Sequence, residues 1–475
     1  MRREWFYAGM LLMFGCVWPG RAGLRETDFS RQTALDRYVA AIDPAFTWER
    51  VQTRNASAGQ IHVLRMISQT WRTSEEVNRT VWEHWLLVAV PAQVAHRVGL
   101  LFIGGGRNRP EPPAEMDSNL TRLAVETRSV VAELRNVPNQ PLVFHYDGRE
   151  RLEDDLIAYT WDQFLRTGDE RWPARLPMTK AAVRALDVIE AFCASRDGGG
   201  HTVDRFVVAG ASKRGWTSWT TAAVDDRVVA IVPIVIDVLN VQASMRHHYA
   251  AYGFWSPAVG DYVAHGIMNW MGSRELDALM AIEDPYHYRQ RLSMPKLIVN
   301  ATGDQFFLPD SSRFYFEELP GEKHLRYVPN ADHSLRGSDA FDTLKAFYAS
   351  ILENRPRPKF HWRLDPNGLL MVHVETPARQ VLLWQATNPQ ARDFRLETFG
   401  THWTATTLSG ANDQYSVRLR EPAQGWTASF IELTFGGPMN VPMKLTTPVF
   451  VLPDRTQHQF APDPARGTRT GPAGR

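Results

Sequence analysis

The chain has 475 residues, more than one hydrophobic core usually organises, so two domains are expected. Its 53 basic and 52 acidic side chains nearly cancel. The composition therefore gives no electrostatic reason to expect nucleic acid or an anionic membrane surface as a partner. The 16 Trp residues predict a large core, an aromatic-lined cleft, or both.

The first 22 residues have the pattern of an export signal. Arg2 and Arg3 precede an apolar run at 6–18 that is too short for a stable membrane anchor, and Gly20-Arg-Ala22 offers a small-residue cleavage site. We therefore expect a secreted or periplasmic protein, with lipoprotein anchoring at Cys16 as a minor alternative. No later stretch has the ~18 apolar residues that a membrane span needs.

Residues 23–355 are predicted to form one α/β domain. Short apolar runs alternate with stretches of helical period, and several runs are apolar on both faces, as in strands covered by helices on both sides. The pattern predicts a mostly parallel sheet with helices on both faces. The expected strands are 85–90, 98–103, 131–134, 141–144, 205–209, 229–236, 296–300 and 324–328, and the clearest helices are 179–192 and 338–352.

Two further segments are distinguished by composition. Residues 237–293 are aromatic and rich in Met, which is typical of a cap over an active site or of extra helical packing. Residues 356–453 contain short alternating runs between Gly, Pro and Asn turns, which predict a small β-sandwich-like domain. Residues 454–475 are rich in Pro, Gly and Arg and are predicted to be a disordered tail.

A serine lies at a predicted strand-to-helix corner, in Gly210-Ala-Ser-Lys-Arg-Gly215. Such a corner exposes Ser212 at the carboxyl edge of the sheet, and the helix that follows favours a developing oxyanion. The segment departs from the usual G-x-S-x-G pattern, because Arg214 stands where the second glycine is expected.

The other members of a catalytic triad follow in the order acid, histidine. Asp304 comes just after the strand 296–300, and His333 lies in the loop after the strand ending at Val328. In this arrangement Ser212 attacks, His333 takes and returns its proton, and Asp304 orients the imidazole. This order is that of α/β-hydrolases. Asp310 and Asp237 remain alternatives for the acid.

Candidate oxyanion donors also have a place in the pattern. The strand 98–103 runs into Gly104-Gly-Gly106, whose backbone N–H groups are expected to face the oxyanion together with that of Lys213. The side chains of Lys213 and Arg214 are expected to add positive charge. Neither His247-His248 nor Tyr286-His-Tyr288 has a zinc spacing, so no metal or other cofactor is expected.

Several segments together resemble the PhoPQ-activated pathogenicity-related protein family. They are Glu153-Asp-Asp-Leu-Ile-Ala-Tyr-Thr-Trp161, Leu176-Pro-Met-Thr-Lys-Ala-Ala-Val183, Gly210-Ala-Ser-Lys-Arg-Gly-Trp-Thr217, Pro233-Ile-Val-Ile-Asp237, Tyr327-Val-Pro-Asn330 with His333, and Trp384-Gln-Ala-Thr-Asn-Pro-Gln-Ala-Arg-Asp-Phe394. The resemblance implies an exported α/β-hydrolase with a C-terminal β-domain. The corner at Ser212 is also similar to that of glucuronoyl esterases, which carry a basic residue after the nucleophile.

The sequence thus predicts an exported serine hydrolase. A carboxylesterase acting on a small or saccharide-linked ester outside the cytoplasm is the leading hypothesis. The alternatives are a prolyl-oligopeptidase-like peptidase and a secreted binding or signalling protein that retains a hydrolase fold. No feature of the sequence indicates an oligomeric state.

Overall fold

The computed structural model describes residues 32–56 and 58–463. The predicted signal peptide, Cys16 and the end of the predicted tail lie outside these residues. The strands are β1 (Thr47–Ala56), β2 (Gly59–Thr70), β3 (Val81–Pro91), β4 (Val98–Ile103), β5 (Val131–Leu134), β6 (Leu142–Val143), β7 (Glu150–Arg151), β8 (Arg205–Ala211), β9 (Val228–Ile234), β10 (Lys296–Ala301), β11 (Lys323–Val328), β12 (Phe360–Leu364), β13 (Leu369–Val374), β14 (Gln380–Asn388), β15 (Thr404–Thr407), β16 (Gln414–Arg418), β17 (Trp426–Gly436), β18 (Pro442–Thr446) and β19 (Phe450–Leu452). The α-helices are α1 (Ala34–Ala40), α2 (Ser118–Thr127), α3 (Glu153–Thr167), α4 (Arg175–Ala194), α5 (Lys213–Val224), α6 (Val241–Tyr252), α7 (Gly260–Ala264), α8 (Arg274–Glu283), α9 (Ala340–Leu352) and α10 (Leu396–Phe399).

One long twisted sheet organises the molecule. Its order begins β1-β2-β3-β5-β4-β8-β9-β10-β11. From β5 to β11 every neighbouring pair is parallel, whereas β3 runs antiparallel to both β2 and β5. This is a mostly parallel α/β-hydrolase sheet, as predicted. Because the parallel strands end at one edge, the loops that follow β4, β8, β10 and β11 lie side by side.

The sheet is buried on both faces, which explains its continuous apolar runs. In β8, Phe206 and Val208 pack into a core with helices α1, α4 and α5, whereas Val207 and Ala209 pack into a second core with α2 and α9. The strand therefore needs apolar side chains at each position from 206 to 209. The bounds predicted for β4 and β5 agree with the structure to the residue.

The C-terminal strands form a β-domain that continues the central sheet. The order proceeds β11-β18-β17-β14-β15, and Leu325 of β11 pairs with Thr446 of β18. A second, three-stranded sheet, β12-β13-β16, shares a core with this extension. The change of composition near residue 355 therefore coincides with the start of the second sheet, while the central sheet continues without a break into the β-domain.

Residues 235–295, between β9 and β10, are called the cap and include the segment 237–293 predicted to be a cap or extra packing. It contains α6, α7 and α8 with three short 3-10 helices, Pro257–Val259, Ile267–Trp270 and Pro285–Arg291. No helix within residues 32–56 and 58–463 is long and apolar enough to cross a membrane.

The first ten residues of the predicted tail, 454–463, contact other parts of the protein. Asp454 forms an ion pair with Arg313. Further on, the Phe460 ring lies against Tyr249 of α6 and Trp255, with ring centroids 5.1 and 5.0 Å apart. The Pro-rich composition of this segment suggests disorder, but an ion pair with Arg313 after β10 and an aromatic contact with the cap tie it to the rest of the protein.

Candidate active site

Ser212 occupies a strained corner between β8 and α5. Its φ of 56° and ψ of −129° lie in a region that side chains other than glycine rarely adopt. Its N–H donates to the carbonyl of Ile234 on β9 (2.8 Å), and its carbonyl accepts from Trp216 of α5 (2.9 Å). The surrounding structure therefore fixes the corner, which has the form of a nucleophile elbow.

The shifted glycine of the motif has a packing explanation. A Cβ on Gly215 would lie 2.8 Å from the Gly210 carbonyl oxygen and 3.1 Å from the backbone N and O of Ile234. A Cβ on Gly210 would in turn lie 2.6 Å from the carbonyl oxygen of Arg214. Both glycines are therefore needed because α5 packs directly on the backbones of β8 and β9.

The structure brings Asp304 and His333 together. Nδ1 of His333 lies 2.8 Å from Oδ2 of Asp304, and Oδ1 of Asp304 accepts from the N–H of Phe306 (2.7 Å). The Phe306 ring packs against the imidazole, with centroids 4.4 Å apart. Nε2 of His333 is buried and has no hydrogen-bond partner in the described part of the chain. This arrangement fixes one ring nitrogen and leaves the other available to a reacting group.

The two alternative acids have other partners. Asp310 binds Arg392 (2.6 Å) and His247 (3.0 Å). Burial alone would raise the pKa of Asp310, but the interactions with Arg392 and then His247 hold that pKa well below its usual range. Asp237 accepts hydrogen bonds from the hydroxyls of Tyr315 and Tyr327, both 2.6 Å long. Of the three carboxylates considered, Asp304 is the one paired with His333.

The glycine-rich loop lies beside Ser212, because Ile103 of β4 pairs with Gly210 of β8. The expectation that Gly104 donates to an oxyanion is wrong, since its N–H already donates to the carbonyl of Leu134 (2.7 Å). The N–H groups of Gly105, Gly106 and Lys213 have no acceptor among residues 32–56 and 58–463. These three remain candidate oxyanion donors.

The positive charges at the corner are paired within the protein. Lys213 Nζ lies 2.9 Å from Glu153 and 3.2 Å from Asp154, at the start of α3. Arg214 donates to both carboxylate oxygens of Glu153 (2.7 and 2.6 Å) and, through Nε, to the carbonyl of Val137 (2.6 Å). The side-chain charge expected to act on an oxyanion is thus compensated by two carboxylates.

This pairing also holds the glycine loop. A Cβ on Gly105 would lie 2.7 Å from Nη2 of Arg214, so the guanidinium packs directly on the loop backbone. Gln140 Nε2 donates both to the Gly106 carbonyl (2.8 Å) and to Glu153 (2.6 Å). We call Arg214, Glu153 and Gln140 the loop clamp. In the sequence, Glu153 stands out only as part of a family segment, and nothing distinguishes Gln140.

A cleft opens next to Ser212 between the sheet edge and the cap. The empty space between its walls is about 720 Å³, a volume that includes open solvent, and Ser212 and Lys213 form part of its wall. Phe306, which packs on His333, and Phe307 line it as well. The cleft is therefore bounded by Ser212 on one side, by the phenylalanine that packs on His333 on another, and by the cap.

The remaining candidate groups lie outside this site. His248 Nε2 accepts from the N–H of Ser256 (3.0 Å). Cys193 is buried, and burial raises the pKa of its thiol to about 12, as expected for an unreactive cysteine. Trp384 and Trp403 pack around Phe430 of the β-domain.

Comparison with known proteins identifies the family. The model of the PhoPQ-activated pathogenicity-related protein family matches residues 35–395. The chain is also 37% identical over 452 residues to autocrine proliferation repressor protein A of Dictyostelium discoideum, covering 89% of this chain and 91% of that protein. The chain belongs to the PhoPQ-activated pathogenicity-related protein family.

Solved structures show more distant likenesses. Acetyl xylan esterase 1 from Thermoanaerobacterium sp. is 14% identical, with a TM-score of 0.47 over 67% of this chain and 92% of that one. A glucuronoyl esterase from Solibacter usitatus is 15% identical, with a TM-score of 0.39 over 66% and 91%. Likeness at this level says nothing about the substrate.

Proposed function

We propose that this member of the PhoPQ-activated pathogenicity-related protein family is a serine hydrolase, with Ser212, His333 and Asp304 as its triad. The observation that carries the proposal is the state of His333. Its Nδ1 is fixed by Asp304 while its Nε2 is buried and unpartnered among the described residues, at the sheet edge that also presents Ser212.

The proposed reaction is acyl transfer through an acyl-enzyme. Ser212 Oγ attacks the ester carbonyl while His333 Nε2 takes its proton, and the N–H groups of Lys213 and Gly105 stabilise the oxyanion. His333 then protonates the leaving alcohol, and water repeats the sequence to release the acid. The structure has no hydrogen bond between Ser212 and His333, so the proposal requires that this contact forms when substrate binds.

An ester is favoured over a peptide as the substrate. A prolyl-oligopeptidase-like enzyme needs a charged group to hold the amino terminus of its substrate. The acidic side chains beside the nucleophile, Glu153 and Asp154, are already paired with Lys213 and Arg214. We therefore propose a carboxylesterase and keep the peptidase as an outcome of the test.

A non-catalytic signalling role is the second candidate. It is favoured by the name of the Dictyostelium relative, autocrine proliferation repressor protein A. That name describes a biological effect and is compatible with a catalytic or a non-catalytic mechanism.

We also propose that the protein is exported, because of the basic and apolar pattern of residues 1–22. Mass spectrometry of the mature protein from its native host is expected to place its amino terminus at Gly23. A mature chain that begins at Met1 would contradict export by this signal.

A fluorophosphonate probe tests the serine mechanism directly. We expect one adduct on the wild-type protein, located at Ser212 by peptide mapping, and none on Ser212→Ala. Ser334→Ala, a change in the His333 loop outside the proposed machinery, is the matched control and should label normally. A folded wild-type protein that does not label would reject the enzyme and favour the signalling role. Ester and aminoacyl-amide panels then separate esterase from peptidase.

A further inference from the structure

The walls of the cleft beside Ser212 are almost entirely apolar. The cap contributes four methionines, Met245, Met268, Met271 and Met280, together with Val241 and Leu276. Each of these side chains is less than a tenth exposed. Methionine is unbranched and polarisable, so walls rich in it adapt to flexible apolar ligands.

Apart from the Ser212 hydroxyl and the indole N–H of Trp161, which is buried without a partner among the described residues, the polar side chains in the wall already have partners. Asp154 accepts from the hydroxyl of Tyr262 (3.1 Å) and pairs with Lys213 (3.2 Å). Gln242 donates to Asp277 (2.7 Å) and accepts from the N–H of Gly272 (3.0 Å). A sugar in this cleft would leave most of its hydroxyls unpaired, which costs free energy. An aliphatic chain would bury apolar surface without that penalty.

We infer that this cleft binds a medium-chain aliphatic group of the ester substrate. The inference rests on the proposed function, because it is the presence of Ser212 in the cleft wall that makes the bound group part of a substrate. It replaces the saccharide at this position with a hydrocarbon chain. This hydrocarbon chain belongs to either the acyl or the alcohol side of the ester, because apolar walls bind an aliphatic group from either side.

Two ester series separate these sources. In p-nitrophenyl acetate, butyrate, hexanoate and octanoate only the acyl chain grows, and in the corresponding alkyl acetates only the alcohol grows. Burial of one methylene contributes about 0.8 kcal/mol, or about fourfold in kcat/KM. We expect a rise of about threefold to fourfold per methylene in one series until the cleft is full. Flat or falling profiles in both series would overturn the inference.

Substitutions that narrow the cleft test whether its walls determine the chain-length preference. Met271→Trp places a larger side chain in the wall, and Val241→Phe is the second variant should the first fail to fold. In the ester series that responds to chain length, the ratio of kcat/KM for the eight-carbon ester to that for the shortest ester should fall about tenfold or more. Met439→Trp, at an exposed methionine of the β-domain, should keep the wild-type preference.

A binding measurement distinguishes this inference from the catalytic proposal. Calorimetric titration of Ser212→Ala with sodium octanoate is expected to show binding with a negative heat-capacity change, and sodium acetate none. Octanoate binding without hydrolysis of any ester would reject the proposed function but keep the apolar site. Ester hydrolysis with no octanoate binding and no chain-length preference would reject the apolar site alone.

Discussion

Arg214→Met tests whether the loop clamp supports both the fold and the oxyanion loop. The substitution keeps an apolar stem of similar length but removes the guanidinium. Glu153 then loses two hydrogen bonds and the Val137 carbonyl loses its donor. The packing on Gly105 is lost as well.

The expected cost follows from the exposure of the two partners. Breaking a fully buried ion pair by removing one partner costs about 3–5 kcal/mol. The Arg214 side chain is 11% exposed but that of Glu153 is 43% exposed, and Glu153 keeps Lys213 as a partner. Solvent screening therefore lowers the expected loss of unfolding free energy to about 2 kcal/mol.

The loss of unfolding free energy in Arg214→Met should depend on pH. Burial alone would raise the pKa of Glu153, but the hydrogen bonds and charge of Arg214, and then the charge of Lys213, hold that pKa well below its usual range. A lowered pKa in the folded state stabilises the protein above the unfolded pKa, and this contribution is lost as the pH falls through the folded value. The difference between wild type and Arg214→Met should therefore be largest near pH 7 and shrink on acidification below about pH 4.5.

Urea unfolding at about pH 7 and about pH 3 measures this difference, and ester hydrolysis near pH 7 measures the effect on the loop. Loss of one oxyanion donor costs about a hundredfold to a thousandfold in rate, so a displaced Gly105 should lower kcat by about tenfold to a hundredfold. Arg214→Lys is the control that keeps the charge without the paired hydrogen bonds. Equal stability differences at both pH values, with unchanged kcat, would refute the reasoning.

Three further predictions concern the buried acids and the cysteine. Asp304→Asn should lower kcat/KM by about ten thousandfold, whereas Asp310→Asn should lower the melting temperature with less than about a tenfold effect on kcat/KM; the opposite ranking would move the triad acid. Burial raises the pKa of Asp237 to about 7 despite two tyrosine hydrogen bonds, so wild type should lose stability relative to Asp237→Asn as pH rises from about 4 to about 7; parallel stability curves would contradict this. Cys193 should resist iodoacetamide in the native protein and react after unfolding, as counted by mass spectrometry; rapid native labelling would contradict its burial.

The sequence predicts those strands that are buried on both faces, because their apolar residues form continuous runs. Strands β4 and β5 are apolar at almost every position because helices cover both faces, and turn residues delimit them. Strand β1 is largely exposed and polar, and it was not predicted. It exists because it pairs with β2 through the backbone, an interaction that leaves little trace in side-chain polarity.

In the site, too, residues that follow an apolar strand could be predicted from the sequence, whereas residues joined by long-range polar contacts could not. Ser212, Asp304 and His333 each follow a strand that is legible in the sequence, so their order and sheet edge could be inferred. The loop clamp could not be inferred, because Arg214 contacts Glu153 across 61 positions of sequence. Its third member, Gln140, takes part through a hydrogen bond to the backbone of Gly106. Its members are polar residues in a chain that has many.

The departure from the usual serine motif is resolved by this clamp. A glycine next to the helix start is needed for close packing, and the structure supplies it at Gly215, where a Cβ would meet the backbones of Gly210 and Ile234. The position thereby released carries Arg214, whose guanidinium reaches the neighbouring loop at Gly105. The basic residue is therefore not an added charge for the substrate. It joins the helix that carries Lys213, one candidate oxyanion donor, to the loop that carries Gly105, another, so the Arg214 side chain contributes to the spacing between them.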